Sequence, residues 1–331
     1  MSSNICFSTT ENVAVCPICP RACRLAEGQI GNCRSRRNEN GKIVPLAYNA
    51  PCSVALDPME KKPLFHFFPG QAVLSLGMAG CNLHCKNCQN ASISQVSPLD
   101  IPSQNVTPQM LVEWLQKNNV QAVAYTYTEP LVSYEYVLDC AKAIHEAGFK
   151  NVLVSAGYIN PKPLAELLPY LDAANIDLKS MSESKYLENS GIHLQPVLNS
   201  LKMFAKANIV LEVTNLVIPD FNDTEQDFQD WCKFIAQDLG VDIPVHFSRF
   251  FPQYQMTDRP PTPETTLHLA AKIAKEHGLK YVYCGNTAED ETTVCPHCGT
   301  PLIVRKGYQI TKNIIKNGCC PQCGTAIYGR F

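Results

Sequence analysis

Residues 72–90 read Ala72-Val-Leu-Ser-Leu-Gly-Met-Ala-Gly80-Cys81-Asn-Leu-His-Cys85-Lys-Asn-Cys88-Gln-Asn90. An apolar run of strand character ends at Gly80, and three cysteines follow in one short loop at C-x3-C-x2-C spacing. Three thiolates this close can face a single metal centre. Four ligands would close the shell of a zinc ion or an ordinary four-iron cluster, whereas three leave one metal position open to an outside ligand. A zinc knuckle or three structural cysteines is the plainer reading, and the position directly after a buried-type strand suits it poorly.

The 331 residues are 45% apolar, enough for a real core in one large domain with small appendages. Net charge is −2, so overall electrostatics point to neither a nucleic acid nor a membrane partner. Both cysteine-rich ends are nevertheless basic. Residues 16–42 hold six Lys/Arg against two Glu, and residues 291–331 hold five against one. The N-terminus has no basic segment leading into an apolar stretch, and no run is long enough to span a bilayer, so a cytoplasmic protein is expected. In a reducing compartment 17 cysteines signify metal binding more than disulfides. Cys6, Cys52, Cys140, Cys232, Cys284 and Cys319 fall outside the three clusters and read as small buried hydrophobes or bystanders.

Three modules follow. Residues 1–70 contain Cys16-Pro-Ile-Cys19-Pro-Arg-Ala-Cys23 and then Cys33, a small loop-rich site for zinc or an iron–sulfur group. Residues 43–70, broken by five prolines, look like an irregular connector that lies across a neighbouring domain, and His66 there reads as a hydrogen-bonded structural residue. Residues 290–331 pair Cys295-Pro-His-Cys298 with Cys320-Pro-Gln-Cys323, each followed by Gly-Thr. This pattern signals a closed tetrahedral site of rubredoxin or zinc-ribbon type for zinc or iron, in which glycine lets amides approach sulfur.

Between them, residues 71–289 alternate apolar runs (72–78, 122–128, 151–156, 174–178, 209–218, 244–250 and 281–284) with helical patterns (107–118, 132–147, 161–169, 194–207, 224–239 and 263–277). Thr107-Pro108 and Thr262-Pro263 look like helix starts, and Gly148, Gly240 and Gly278 like helix ends. Such strands belong in a parallel sheet covered by helices, an α/β barrel or an open doubly wound sheet, with ligands at the carboxyl ends of the strands. There the sequence places Thr128-Glu129, Ser155, Asp177-Leu-Lys179, and His246 with Arg249. Asp177 and Lys179 share one face of a strand, as a ligand site or as a surface ion pair. Glu212, inside an apolar strand, needs a partner, and a cofactor or Lys179 would supply one. His246 reads either as a residue at the mouth or as a satisfied core histidine.

The three-cysteine loop resembles the radical S-adenosylmethionine (SAM) superfamily. The resemblance implies a partial (β/α)6 barrel and a [4Fe-4S] cluster on Cys81, Cys85 and Cys88, with SAM chelating the fourth iron. It places Thr128 and Glu129 at the SAM amino group and Asp177 and Lys179 by its methionine. Asn87, Ser155, Glu212 and His246 complete the expected SAM site. Asp57-Pro-Met-Glu-Lys-Lys-Pro, Tyr127-Thr-Glu-Pro, Val217-Ile-Pro, His246-Phe-Ser-Arg-Phe and the ending Cys-Pro-x-Cys-Gly-Thr more closely resemble the AmmeMemoRadiSam system radical SAM enzymes, relatives of pyruvate formate-lyase activating enzyme. Two positions depart from the pattern. Asn87 stands where an aromatic residue usually packs near the adenine, and Val154 where the activase carries an acid.

The resemblance implies reductive cleavage of SAM to a 5′-deoxyadenosyl radical and hydrogen abstraction from a protein or partner-bound substrate. It implies an electron donor such as flavodoxin or ferredoxin and a partner of the Memo or AMMECR type, whereas a glycyl-radical activase proper is the near alternative. The alternative of a different class is a non-catalytic electron carrier or a nucleic-acid-binding ribbon protein. Few aromatic residues interleave with the basic ones, which disfavours nucleic acid.

Overall fold

A computed structural model describes residues 12–331, and Cys6 lies outside them. The strands are β1 (Ala14–Val15), β2 (Arg24–Leu25), β3 (Arg36–Glu39), β4 (Lys42–Pro45), β5 (Ser53–Pro58), β6 (Ala72–Gly77), β7 (Ala122–Tyr125), β8 (Lys150–Ser155), β9 (Ala173–Asp177), β10 (Val210–Val217), β11 (Val245–Arg249), β12 (Val282–Gly285), β13 (Glu291–Val294), β14 (Pro301–Lys306) and β15 (Gln309–Asn313). The helices are α1 (Ala91–Ser94), α2 (Pro108–Asn118), α3 (Tyr134–Glu146), α4 (Pro161–Leu167), α5 (Glu183–Ser190), α6 (Leu194–Lys206), α7 (Glu225–Phe234) and α8 (Glu264–Glu276).

β5 to β12 form one eight-stranded sheet in sequence order. Every pair is parallel except β5–β6, which is antiparallel. Its edge strands do not pair with each other, so the sheet is the open, partial barrel expected. All seven expected strands form. β5 is the exception to the reading of 43–70 as irregular. Its prolines do not prevent pairing, because Pro58 ends an edge strand, where a missing N–H is tolerated.

Alternation along the strands separates two apolar layers. Leu74, Leu76, Val123, Leu153, Ile176, Val213 and Phe247 face the helices in the main core. Val73, Ala122, Ala124, Val152, Ala173 and Val210 face the barrel interior, where Met59, Leu64 and Phe67 pack against them. Small side chains on that face leave room for this plug. The connector therefore fills the barrel, where the sequence suggested that it lies across a surface.

Thr107 caps α2 as expected, accepting from the Met110 N–H at 3.2 Å. Thr262 does not cap α8. Its buried hydroxyl donates to the Val217 carbonyl at 2.6 Å and accepts from the Phe250 N–H at 2.9 Å, and Pro263 occupies the cap position. Gly148, Gly240 and Gly278 do end helices, all with positive φ. The short helices α1 and α5 have no counterpart in the sequence reading, because so few residues give little periodicity to detect.

The C-terminal ribbon β13–β14–β15 closes the amino-terminal end of the barrel. The Tyr328 hydroxyl accepts from the Leu211 N–H at 2.9 Å, and Arg330 reaches Asp172 at 3.0 Å. His66 is fully buried between these parts, with Nδ1 2.6 Å from the Tyr328 carbonyl and Nε2 2.7 Å from the Tyr283 hydroxyl. The neutral ring satisfies both by donating from Nδ1 and accepting at Nε2.

Burial lowers the His66 pKa from 6.5 to about 4. The unfolded chain therefore takes up a proton below pH 6.5 that the folded chain refuses until about pH 4, and the stability present above pH 6.5 is lost as pH falls through this window. We expect His66 to remove roughly 3 kcal/mol between pH 7 and 4. Denaturant melts of His66→Gln should show a flatter pH profile than the native chain, and identical slopes would refute this assignment.

Candidate functional site

Gly80 leaves β6 with φ +92, and a Cβ there would meet the Cys33 carbonyl oxygen at 2.5 Å and Ser35 Cβ at 2.8 Å. Only glycine lets the chain pass this close. The Cys81 N–H then donates to the Cys33 carbonyl at 3.1 Å, and the cysteine loop begins fixed to the N-terminal module.

The far side of the loop is held by the end of α5. The His84 N–H donates to the Ser190 carbonyl at 3.0 Å and the Lys86 N–H to the Asn189 carbonyl at 3.1 Å. The Asn189 amide donates to Asn87 Oδ1 at 2.9 Å, and Cys85 Sγ lies 3.2 Å from Ser190 Oγ. Asn87 is thereby buried and committed to Asn189. Sequence reasoning missed Asn189 and Ser190, and only the Ser182 cap and the left-handed Gly191 that bound α5 could have signalled them.

Strand ends complete the surroundings. Glu129 is buried, and its carboxylate accepts from Ser155 Oγ at 2.8 and 3.0 Å, the Ala156 N–H at 2.9 Å and the Leu131 N–H at 3.2 Å. Burial raises its pKa to about 7 against these hydrogen bonds. The Thr128 hydroxyl donates to the Met78 carbonyl at 2.6 Å, beside the loop. Lys179 Nζ lies 2.8 Å from Asp177 Oδ2 in a partly exposed pair. Burial disfavours this ammonium, but the charge and hydrogen bond of Asp177 oppose it, and the Lys179 pKa stands above normal. Burial in turn pushes the Cys81 and Cys85 thiols up, so this pocket favours thiolates only with a cationic occupant.

Glu212 and His246 stand elsewhere. Glu212 Oε2 lies 2.6 Å from His246 Nε2, and Oε1 accepts from the His66 N–H at 2.7 Å. Both side chains are shielded from solvent, and His246 stacks on Tyr283 with ring centroids 5.2 Å apart. Burial alone would raise the Glu212 pKa, but the His246 and His66 contacts outweigh it and bring it down. Glu212 therefore pairs with His246 where Lys179 was one expected partner, and of the two readings of His246 the structure shows the satisfied core histidine. Arg249 ends β11 with Nε donating to the Thr262 carbonyl at 2.7 Å.

Among the described residues, one group brings three or more potential ligand atoms within 4.8 Å of one another: Cys295, Cys298, Cys320 and Cys323. Sulfurs of Cys295 and Cys323 lie 3.6 Å apart and those of Cys298 and Cys320 3.7 Å. Tetrahedral zinc with bonds of about 2.3 Å would separate sulfurs by about 3.8 Å, so this set fits a single ion. The two knuckles repeat the same bonds: the Gly299 and Gly324 N–H groups donate to the Cys295 and Cys320 carbonyls, each at 2.9 Å. Both glycines have positive φ, and nothing lies within 4 Å of a Cβ built on them. Their conformation, not the close approach expected from sequence, requires glycine. The Thr300 hydroxyl and amide lower Cys298 to about 6, favouring the thiolate a metal needs.

Cys81, Cys85 and Cys88 are not so gathered. This spread and the three thiols suit a multi-iron cluster with one iron left for an outside ligand better than a lone ion. Cys16, Cys19, Cys23 and Cys33 together line one small cavity beside the loop.

Two outcomes test these centres. The C-terminal cysteines should hold about one metal per chain, and Cys295→Ser with Cys320→Ser should lose it and lower the melting temperature, measured by elemental analysis and calorimetry. Asn189→Ala should release loop iron to a chelator several-fold faster without altering the C-terminal metal, and unchanged release would show that α5 does not brace the loop.

The radical SAM superfamily model matches residues 76–235. An uncharacterized protein of Methanocaldococcus jannaschii is 44% identical over 321 residues, which cover 96% of each chain. The 4-hydroxyphenylacetate decarboxylase activating enzyme of Clostridium scatologenes is 24% identical over 123 residues, 37% of this chain and 39% of that one. Streptococcus suis SuiB bound to precursor peptide SuiA superposes with a TM-score of 0.52 over 70% of this chain and 52% of that one, at 12% identity, a likeness of fold. With its open parallel barrel and its three-cysteine loop after the first parallel strand, the chain carries a radical SAM superfamily domain over residues 76–235.

Proposed function

We propose that the protein is a radical SAM enzyme of the AmmeMemoRadiSam type, with the [4Fe-4S] cluster on Cys81, Cys85 and Cys88. When bound, the cluster and SAM supply a one-electron cleavage that yields methionine and a hydrogen-abstracting 5′-deoxyadenosyl radical. The observation that carries this reading is the cysteine loop held open between Cys33 and α5, with Glu129, Asp177 and Lys179 around it.

Each residue has work it can do without further assumptions. Glu129, fixed on both oxygens by Ser155, Ala156 and Leu131, can accept from an ammonium group with little reorganisation. A cation there favours its ionised form, which burial alone resists. Thr128 holds its peptide against β6 through Met78 and so aims backbone groups at the same place. Lys179 offers charge to a carboxylate, with Asp177 positioning it. The single C-terminal ion has a structural role in this reading, closing the barrel end away from the loop.

The substrate in this reading is a protein or a molecule held by one, reduced by way of flavodoxin or ferredoxin, with a Memo-type or AMMECR-type partner. Support comes from the relative named as an activating enzyme, whose name states that it activates another enzyme.

Anaerobic protein reconstituted with iron and sulfide, reduced and given SAM, should form 5′-deoxyadenosine, and Cys85→Ala should form none. Glu129→Gln should raise the Kd for SAM roughly tenfold or more, the loss of a charged hydrogen bond. A loaded cluster that yields no 5′-deoxyadenosine with or without candidate partner proteins would refute the enzyme reading.

A further inference from the structure

We infer that Cys16, Cys19, Cys23 and Cys33 hold a second iron–sulfur cluster of the [4Fe-4S] type, and that it is the entry point for electrons bound for the Cys81 loop. The inference rests on the reading of that loop as the SAM-binding cluster. Sequence spacing left zinc and iron–sulfur equally open, and three observations separate them.

First, the four cysteines surround one cavity yet do not gather as a single ion requires. Cys16, Cys19, Cys23 and Cys33 all line it, but no three of their sulfurs come within 4.8 Å of one another, as the C-terminal four do. Sulfurs around one zinc sit about 3.8 Å apart. Those around a cubane sit roughly 6 Å apart, because four irons lie between them. The same chain thus displays both kinds of site, and the N-terminal one has the wider spread.

Second, the cavity presents an unused donor. Arg36 is 3% exposed and lines the cavity, its guanidinium close enough to act on Cys16 and Cys33. Its terminal nitrogens are occupied by Glu135 at 2.7 and 2.6 Å and by the Val132 carbonyl at 3.1 Å. Its Nε, buried, has no partner. A buried N–H without an acceptor is costly, and a cluster sulfide or cysteine thiolate in the cavity would accept from it.

Third, the cavity is wired to the loop. Cys33 and Cys81, one from each centre, are joined by the 3.1 Å hydrogen bond between the Cys33 carbonyl and the Cys81 N–H. An electron can pass from one thiolate to the other through two cysteine side chains and this one bond. Arg21 reinforces the join, donating to the Asn82 carbonyl at 2.8 Å and the Gly191 carbonyl at 2.6 Å. A structural zinc would need no such coupling to the reactive loop.

The balance is simple. A one-electron-reduced ferredoxin or flavodoxin loses one electron, the N-terminal cluster passes from the 2+ to the 1+ state and returns to 2+, and the electron resides on the loop cluster. No bond to protein forms or breaks and no proton is required.

The test uses the full chain reconstituted anaerobically. Cys81→Ala, Cys85→Ala and Cys88→Ala combined should leave, beyond the single C-terminal ion, about four irons and about four acid-labile sulfides per chain, with the electron paramagnetic resonance signal of a reduced cubane. No labile sulfide in that variant, with zinc in excess of the single C-terminal ion, would overturn the assignment. Cys16→Ala with Cys33→Ala should lose the same amount of iron from the native total while the loop cluster remains. In the reduced native protein the two signals should be broadened by magnetic interaction that is absent from both variants. Two sharp, independent signals would overturn the relay even if both clusters are present. The loop-cysteine variant decides the N-terminal cluster whether or not the other variant folds. Failure of the radical SAM reading would show separately, as a native protein without the loop cluster.

Discussion

A carboxylate buried in the middle of an apolar parallel sheet is the constraint on which the lower half of this molecule depends. Glu212 has no exposure, and an unpaired charge there would cost several kcal/mol. It is answered from two directions, by the His66 N–H at 2.7 Å and His246 Nε2 at 2.6 Å. The first contact draws the plug segment into the barrel and the second ties β10 to β11. With the plug seated, His66 meets Tyr328 and Tyr283, and the C-terminal ribbon docks against them. Arg305 extends the same logic, fully buried between the Phe65 carbonyl at 2.7 Å and the Phe65 ring at 4.2 Å. A partial barrel open on one side has little interior of its own, and this network gives it a floor.

The two ends of the sheet thereby acquire different duties. Buried charge, stacked aromatics and a tight four-cysteine site occupy the amino-terminal end, where they make stability. At the carboxyl end the chain gathers looser thiols, the hydrogen-bonded Glu129 and the Lys179–Asp177 pair, groups that still have capacity for a ligand. Parallel strands make this separation natural, because every strand delivers its last residue to the same rim.

Much of this was legible in the sequence because it has a period or a spacing. Parallel strands and long helices announce themselves by apolar runs and by caps such as Thr107-Pro108, and the C-x3-C-x2-C loop by its cysteines. Pairing across the barrel has no such signature. Glu212 and His246 are 34 residues apart; alone, Glu212 signals only that a buried carboxylate needs a partner and His246 only a rim or core histidine, and geometry joins the two. β5 was hidden by its prolines, and α5 by its length. Thr262 was misread because a threonine before a proline suits a helix cap and also suits a buried hydroxyl bridging β10 and the segment after β11.

The position of α5 has a consequence for how the loop is prepared. A loop bearing three thiolates around a large cluster would repel itself and collapse into other pairings if left free. Here its ends are fixed by groups other than the thiols: Gly80 and Cys81 against Cys33, His84 and Lys86 against Ser190 and Asn189. Both anchors are backbone hydrogen bonds, indifferent to the protonation state of the thiols. The anchors therefore set the loop's shape independently of the charge on its thiols, which burial pushes up at Cys81 and Cys85. One anchor is itself a cysteine of the N-terminal module, but it holds the loop through its backbone carbonyl, so module and loop meet at a main-chain bond that neither thiol carries.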